Sequence, residues 1–144
     1  MQSDTYIFFC STGKEKKYFY VADKMTWKKA QENCLKSNAI LAEPMTVTEN
    51  SKLQELIVRY NNNKDDIHAG PWIGATDGAT DGQWLWADSK QTVSWTDWAN
   101  IEPNGKTAEN CMMFNKNSKS YKTKQYKWND AKCGDKFDSI CQVK

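Results

Sequence analysis

The spacing of apolar residues early in the chain predicts a strand followed by a helix. Residues 18–21 form a short aromatic run typical of a strand. Thr26 then stands where it can cap a helix. The apolar residues after it recur at helical spacing and share one face, and they are Trp27, Ala30, Cys34 and Leu35. This segment is the first predicted helix.

A second helix is predicted to begin at Thr46. Glu49 stands three residues further on, which completes the pattern of a capping box. Apolar residues follow at helical spacing, namely Leu53, Leu56, Ile57 and Tyr60. The helix is expected to end in the asparagines at 61–63, because asparagine favours turns. Pro71 marks the next boundary.

From Trp72 onward, short aromatic segments are separated by glycine, aspartate and threonine. Trp84 and Trp86 are two residues apart, so they point to the same face of a strand and are interpreted as core. Further strands are predicted at residues 111–114, 126–128 and 139–143. The chain is therefore expected to form one α+β domain over residues 1–144, with helices early and sheet late.

Composition agrees with one globular domain, since the chain has 144 residues and 39% of them are hydrophobic. No apolar run approaches the roughly 18 to 20 residues that span a bilayer, so membrane insertion is not expected. Residues 1–5 lack a signal-peptide pattern, which leaves open a removed signal or another route out of the cell. The formal net charge of +2 argues against nucleic acid as a partner.

The chain has five cysteines, and none lies in a Cys-x-x-Cys pair that would suggest a zinc or redox centre. They are Cys10, Cys34, Cys111, Cys133 and Cys141. In a small domain, two disulfides are the commoner interpretation and require an oxidising compartment; free thiols in the cytosol are the alternative. Two disulfides would leave one thiol over.

No catalytic site is predicted. Nucleophilic catalysis needs a nucleophile, a base and a group that orients the base, yet the only histidine is His68, in a polar stretch. Gly74, Gly78 and Gly82 recur at a spacing of four, but no Gly-Lys-Ser/Thr follows them, so a phosphate-binding loop is not indicated. The chain is not expected to be an enzyme.

Oxygen-bearing side chains in the second half of the chain suit a hard cation. They are Glu102, Asn104, Glu109, Asn129 and Asp130. Calcium takes about six to eight oxygen ligands, and these side chains with the Asp130 backbone carbonyl could supply most of them. The same residue types are common in turns, so the residues alone leave both interpretations open.

The order of motifs along the chain resembles the C-type lectin family from about residue 18 to residue 142. The motifs are Cys34, Trp72-Ile73-Gly74-Ala75, Trp84-Leu85-Trp86, the segment 95–99, Glu102-Pro103-Asn104, Glu109-Asn110-Cys111, Trp128-Asn129-Asp130, Cys133 and Cys141. Each is weak alone, but the ordered set is highly specific. The resemblance implies two helices, mixed antiparallel sheets and a long calcium-binding loop region. It also implies that Cys34 bonds to Cys141 and Cys111 to Cys133.

The resemblance further implies that the five oxygen-bearing residues hold both Ca²⁺ and a sugar, with Pro103 in the cis form. A sugar hydroxyl can donate to a carboxylate and accept from an amide. Glu102 with Asn104 would then serve one hydroxyl, and Glu109 with Asn129 its neighbour.

Glu-Pro-Asn is the family's signature for mannose-type sugars with equatorial 3- and 4-hydroxyls, whereas galactose binders usually carry Gln-Pro-Asp. The implied function is calcium-dependent binding of mannose-type glycans, of cell-surface or microbial origin, in innate immunity. Two alternatives stay open. An aromatic ring, Tyr121 or Tyr126, could stack on galactose and reverse the preference, or the chain could be a protein-, mineral- or ice-binding member of the fold.

Three features lie outside this principal site. Asp77 and Asp81 would supply an auxiliary calcium site, although Gly105 stands where that site often has an aspartate. The segment before Trp128 is rich in lysine, at positions 116, 119, 122, 124 and 127, and is either a contact for anionic glycans or a solvated loop. The family's long form has a second N-terminal cysteine that could pair with Cys10, and this chain does not carry it. Cys10 is therefore predicted to link a secreted homodimer, with a free thiol as the alternative.

Overall fold

The computed structural model describes residues 5–9, 15–61, 70–99, 102–105, 108–116 and 126–144. In chain order its elements are β1 (Thr5–Phe9), β2 (Glu15–Met25), α1 (Trp27–Lys36), β3 (Ala39–Leu41), α2 (Val47–Asn61), β4 (Trp72–Thr76), β5 (Leu85–Trp86), β6 (Cys111–Lys116), β7 (Tyr126–Ala131) and β8 (Phe137–Val143). The α+β class with two helices is confirmed. The sheet is not confined to the later half of the chain, because β1 and β2 form an N-terminal hairpin that pairs with β8.

The strands described form one sheet in the order β1-β2-β8-β4-β6-β7, with β3 paired to β8 and β5 to β4. The pairs are antiparallel except for β4 and β8, which run parallel at Trp72 and Ser139. Between β5 and β6 the chain leaves this sheet, and that long segment carries Glu102-Pro103-Asn104. Since β6 pairs with β7, the topology brings the long segment beside the strand that carries Asn129 and Asp130.

Both helices begin where the sequence predicts. In α1, the Thr26 hydroxyl accepts from the Lys29 N–H at 3.3 Å. In α2, the Thr46 hydroxyl accepts from the Glu49 N–H at 3.1 Å, and the Glu49 carboxylate accepts from the Met45 N–H at 3.2 Å. The Glu49 side chain of the capping box therefore accepts from Met45, the residue before the cap, and not from the N–H of the cap residue itself. No helix within the described ranges is both long and apolar enough to cross a bilayer.

Leu35 departs from the predicted apolar face of α1. Its side chain is 49% exposed, whereas Ala30 and Cys34 are fully buried. Residues 30 and 34 lie one turn apart and face the core, and the next position lies about 100° further around the helix. The prediction that Leu35 shares one face with Ala30 and Cys34 was therefore wrong.

A cluster of tryptophans fills the core beside α2. Trp84 and Trp86 are buried there, as predicted. Trp128 is fully buried and makes edge-on contacts with Trp86, Trp95 and Trp98 at ring-centroid distances of 5.8, 5.5 and 5.9 Å. Because Trp95 and Trp98 lie in the long segment shortly before the Glu-Pro-Asn motif, the cluster anchors this part of the segment to β7.

Two disulfides cross-link the domain, and they confirm the pairing that the resemblance implies. Cys34–Cys141 joins α1 to β8 across 107 residues of sequence, and Cys111–Cys133 joins β6 to the segment after β7 across 22 residues. Cys10 and His68 lie outside the described residues.

Candidate functional site

Asp130 is the buried centre of the site, with only 1% of its surface exposed. On β7 it pairs with Met112 of β6, and the half-buried Asn129 beside it pairs with Met113. The strand therefore presents the two residues in succession at one end of the ladder. Their position is fixed by β6, whose Cys111 lies opposite Ala131.

The Asp130 carboxylate holds the Glu-Pro-Asn segment against β7. One carboxylate oxygen accepts from the Asn104 N–H at 3.1 Å, and the other accepts from the Gly105 N–H at 2.8 Å. Bonds from backbone N–H groups to a carboxylate are among the stronger protein hydrogen bonds. Asp130 thus brings residues from two distant parts of the chain together.

Glycine at 105 is required by the close approach of Glu109. A Cβ atom built at Gly105 would lie 2.2 Å from the Glu109 side chain, far inside van der Waals contact. In the sequence, Gly105 was notable only because the family often has an aspartate at this position, which binds an auxiliary calcium ion. In the structure it is the position that lets Glu109 fold back against the segment held by Asp130.

Glu102 lies next to Asp130. The peptide bond between Glu102 and Pro103 is cis. The Glu102 Oε2 atom is buried and has no hydrogen-bond partner among the described residues. Burial, then the neighbouring Asp130 carboxylate and the charge of Glu109, raise the pKa of Glu102 to about 7. Burial and the charge of Asp130 likewise raise the pKa of Glu109.

These features are the chemical properties of a cation site. Three carboxylates interact electrostatically, and one of their buried oxygens has no donor. A bound cation would offset the repulsion and complete the coordination of that oxygen, and carboxylate and amide oxygens suit calcium. No three histidine, cysteine, aspartate or glutamate side chains in the described ranges converge as a ready metal cluster, however. Amide oxygens of Asn104 and Asn129 would be needed as well, and ligation by the five residues stays a prediction.

Asp77 and Asp81 lie in the turn after β4. Asp77 is buried and accepts from the Gly82 N–H at 2.9 Å through Oδ2, while its Oδ1 has no partner within the described residues. Burial, opposed by the Gly82 bond and aided by the charges of Asp81 and Asp130, raises the pKa of Asp77. Asp77 has a local role as a turn acceptor, and an auxiliary calcium site at these two residues stays a prediction.

A polar network beneath the site was not predicted. Asp97 accepts from Asn50 at 2.9 Å, from Gln54 at 3.4 Å and from Lys127 at 2.7 Å. The Trp128 indole in turn donates to Asn50 at 2.9 Å. The network ties α2 to β7 and to the start of the long segment. In sequence, Asn50 and Gln54 are merely polar positions four residues apart on a helix, and nothing there marks their partners.

Tyr126 does not lie beside the predicted sugar. It is 6% exposed within the tryptophan-containing core, and its carbonyl accepts from Gln54 at 2.7 Å. The interpretation of this ring as a stacking surface was wrong, because the inward face of β7 buries it. Lys127 is paired with Asp97 rather than free in a basic patch. The other stacking candidate, Tyr121, and the lysines at 119, 122 and 124 lie outside the described residues.

Comparisons with known proteins agree with this geometry. A protein-family model described as "Lectin C-type domain" matches residues 23–143. The C-type lectin mosGCTL-7 of Aedes aegypti is 32% identical over 130 residues, which cover 88% of this chain and 83% of that protein.

Solved structures show the same fold. Human lithostathine superposes with a TM-score of 0.76 at 26% identity, covering 97% of this chain and 88% of that one. The C-type lectin domain of murine dendritic cell inhibitory receptor 2, solved in complex with an N-glycan, gives 0.70 at 28% identity, covering 90% and 91%. A Ca²⁺-dependent type II antifreeze protein, in its Ca²⁺-free form, gives 0.71 at 23% identity, covering 90% and 92%, which is a likeness of fold alone. With the family match spanning most of its length, this chain belongs to the C-type lectin domain family.

Proposed function

We propose that this domain binds mannose-type sugars through a calcium ion held by Glu102, Asn104, Glu109, Asn129 and Asp130. The observation that carries the proposal is the buried Glu102 oxygen without a partner, beside the carboxylate of Asp130. A buried carboxylate oxygen is costly unless it is hydrogen-bonded or bound to a cation. When bound, calcium would supply coordination for two neighbouring sugar hydroxyls.

The side chains would recognise the same hydroxyls by hydrogen bonds. A hydroxyl has one donor and two acceptor positions. Glu102 can accept from it and the Asn104 amide can donate to it, and Glu109 with Asn129 can treat the neighbouring hydroxyl in the same way. Asp130 would hold the Asn104 end in place through its backbone bond. The preference for equatorial 3- and 4-hydroxyls is the one that the order Glu-Pro-Asn implies in the C-type lectin family.

A second candidate is a member of the fold that recognises something other than a sugar. The fold likeness to an antifreeze protein is the observation that favours it. The complete set of oxygen-bearing residues and the N-glycan complex of a 28%-identical domain support sugar binding instead. Galactose preference, with Tyr121 as the stacking ring, is the alternative within sugar binding.

Isothermal titration with mannose and with galactose, each with calcium and with a chelator, tests the proposal. We expect binding of mannose in calcium only, at the millimolar level common for single-site sugar contacts. Calcium-dependent preference for galactose would keep the metal site and replace the proposed specificity. Calcium binding without affinity for either sugar would support the second candidate.

Calcium affinity is expected to fall about tenfold from pH 8 to pH 6, because the ion needs the ionised form of Glu102. The pKa of about 7 means that most Glu102 side chains are ionised at the higher pH and few at the lower. Calorimetric calcium titrations across this range measure the effect. A Glu102→Gln variant should bind calcium weakly with a flatter pH profile, and equal wild-type affinity at both ends would contradict the assignment.

The calcium-free domain should show the opposite trend in stability. Glu102 has a folded-state pKa above its ordinary value of 4.5, so the folded chain binds more protons between these values than the unfolded chain does. The stabilising contribution is fully present below about pH 4.5 and is lost as the pH rises through about 7. Thermal melts in chelator at pH 5.5 and pH 8 provide the check.

The proposal extends to a secreted homodimer linked through Cys10 that recognises glycans of foreign or cell surfaces. Two linked sites would convert weak single contacts into avidity on a repeated glycan. Non-reducing gels of wild type and Cys10→Ser test the link, and a variant that still runs as a dimer would remove it.

A further inference from the structure

A shallow depression of about 520 Å³ lies between residues 82–85, which lead into β5, and residues 92–98 of the long segment. The residues that give it its chemistry are Gln83, Trp84, Thr92, Val93, Thr96 and Trp98. We call this depression the tryptophan shelf. Gln83, Thr92 and Thr96 are exposed at its surface, whereas Trp84 is 93% buried at its floor, with 7% exposure.

The tryptophan shelf carries no charge. None of the described residues that line it is acidic or basic, although charged residues make up 26% of the chain. Its polar atoms belong to one side-chain amide and two hydroxyls. An anionic or cationic ligand would find no counter-charge there, so the chemistry suits a neutral polar molecule.

Aromatic rings form the apolar part of the shelf. Trp84 and Trp98 meet edge to face with ring centroids 5.0 Å apart, and Trp98 is only partly buried. The Trp84 indole N–H has no hydrogen-bond partner among the described residues. A pyranose ring has an apolar C–H face and a rim of hydroxyls, and an aromatic surface bordered by amide and hydroxyl groups complements both. A fatty acyl chain would leave Gln83, Thr92 and Thr96 without partners.

Both ends of the shelf lie close to residues of the candidate calcium site. Ala99 follows Trp98, and its carbonyl accepts from the Glu102 N–H at 3.0 Å. At the other end, the Gly82 N–H donates to Asp77, whose own N–H donates to the carbonyl of Asn110 next to Glu109. These bonds place Trp98 near Glu102 and Gly82 near Glu109, so a ligand that extended from the site towards Trp98 would meet the shelf.

We propose that the tryptophan shelf is a second sugar subsite, which binds a further pyranose of a neutral oligosaccharide whose terminal residue lies at the calcium site. The inference rests on the proposed function for its calcium-bound terminal sugar. The shelf itself needs no metal, so its binding of a pyranose is separable from that function. It gives the domain a preference for oligosaccharides over monosaccharides.

Calorimetry with methyl mannoside and with a linear mannose trisaccharide, both in calcium, tests the subsite. We expect the trisaccharide to bind about 10-fold more tightly, and Gln83→Ala/Thr96→Ala to remove most of this gain, because two neutral hydrogen bonds are lost. Affinity for methyl mannoside should not change. Thr48→Ala, at an exposed position on α2, is the matched control and should alter neither affinity. Equal affinities of wild type for the two sugars would overturn the proposal, as would a double variant that retains the full gain.

NMR separates failure of the subsite from failure of the calcium site. In chelator, the trisaccharide at high concentration should shift the indole N–H signals of Trp84 and Trp98 in wild type but not in the double variant. If no sugar binds in calcium yet these signals shift, the proposed function fails and the subsite stands. If they stay fixed with sugar but shift with a fatty acid, the shelf binds acyl chains and the subsite is wrong.

Discussion

Asp130→Asn is expected to weaken calcium binding, and calcium-dependent sugar binding with it, on the order of 100-fold. The carboxylate accepts from two backbone N–H groups, of Asn104 and Gly105. A carboxamide has only one oxygen, so its nitrogen would face one of these donors and leave it unpaired. Such a loss costs about 1 to 3 kcal/mol, and the loss of a negative ligand adds to it.

The expected change in fold is small, because Asn is nearly isosteric with Asp and β7 remains paired with β6. Calorimetric titration of calcium and then of mannose measures the affinity, and circular dichroism checks the fold. Asp23→Asn on β2 is the matched control, since that side chain is exposed and carries the same change of charge. Near-normal calcium affinity in Asp130→Asn would refute the assignment of Asp130 to the site.

Removing the Cys34–Cys141 disulfide by a Cys34→Ala/Cys141→Ala substitution is expected to lower the free energy of unfolding by about 4 to 5 kcal/mol. The bond closes a loop of 107 residues, and the entropy it removes from the unfolded chain grows with loop length. Small domains have unfolding free energies of about 5 to 15 kcal/mol. The loss therefore consumes a large share of the total stability.

The second disulfide provides an internal control. Cys111–Cys133 closes only 22 residues, so Cys111→Ala/Cys133→Ala should cost about 3 kcal/mol in the same chain-entropy treatment. Urea denaturation of the two variants and the wild type, followed by tryptophan fluorescence, measures the difference. Equal losses, or a larger loss from the shorter loop, would show that local packing rather than chain entropy determines the stabilisation.

The positions of the helices and of the late strands could be predicted because their signals are local. Thr26 and Thr46 mark helix starts within a few residues of sequence, and both accept the N–H bonds that a cap requires. Trp84 and Trp86 share a face because side chains alternate along a strand, and both are buried. The disulfide pairing came from the resemblance, since cysteine spacing alone allows several connectivities.

Burial of particular side chains depended on the packing of distant segments. Periodicity placed Leu35 on the apolar side of α1, but the sheet covers only the stripe through Ala30 and Cys34. Tyr126 resembles an exposed aromatic residue in a lysine-rich segment, yet β7 directs it into the core. A pattern of residue types does not specify which element covers them, so these two assignments failed.

By itself, the sequence determined the α+β class, the helix starts, the family resemblance and the set of oxygen-bearing residues, because each depends on residue type and on spacing along the chain. Only the tertiary structure decided that Asp130 holds the backbone of Asn104 and Gly105, that Gly105 makes room for Glu109, and that Asp97 ties α2 to β7. It also assembled the tryptophan shelf. These contacts join residues that are far apart in sequence, and their geometry depends on how the long segment packs against β7.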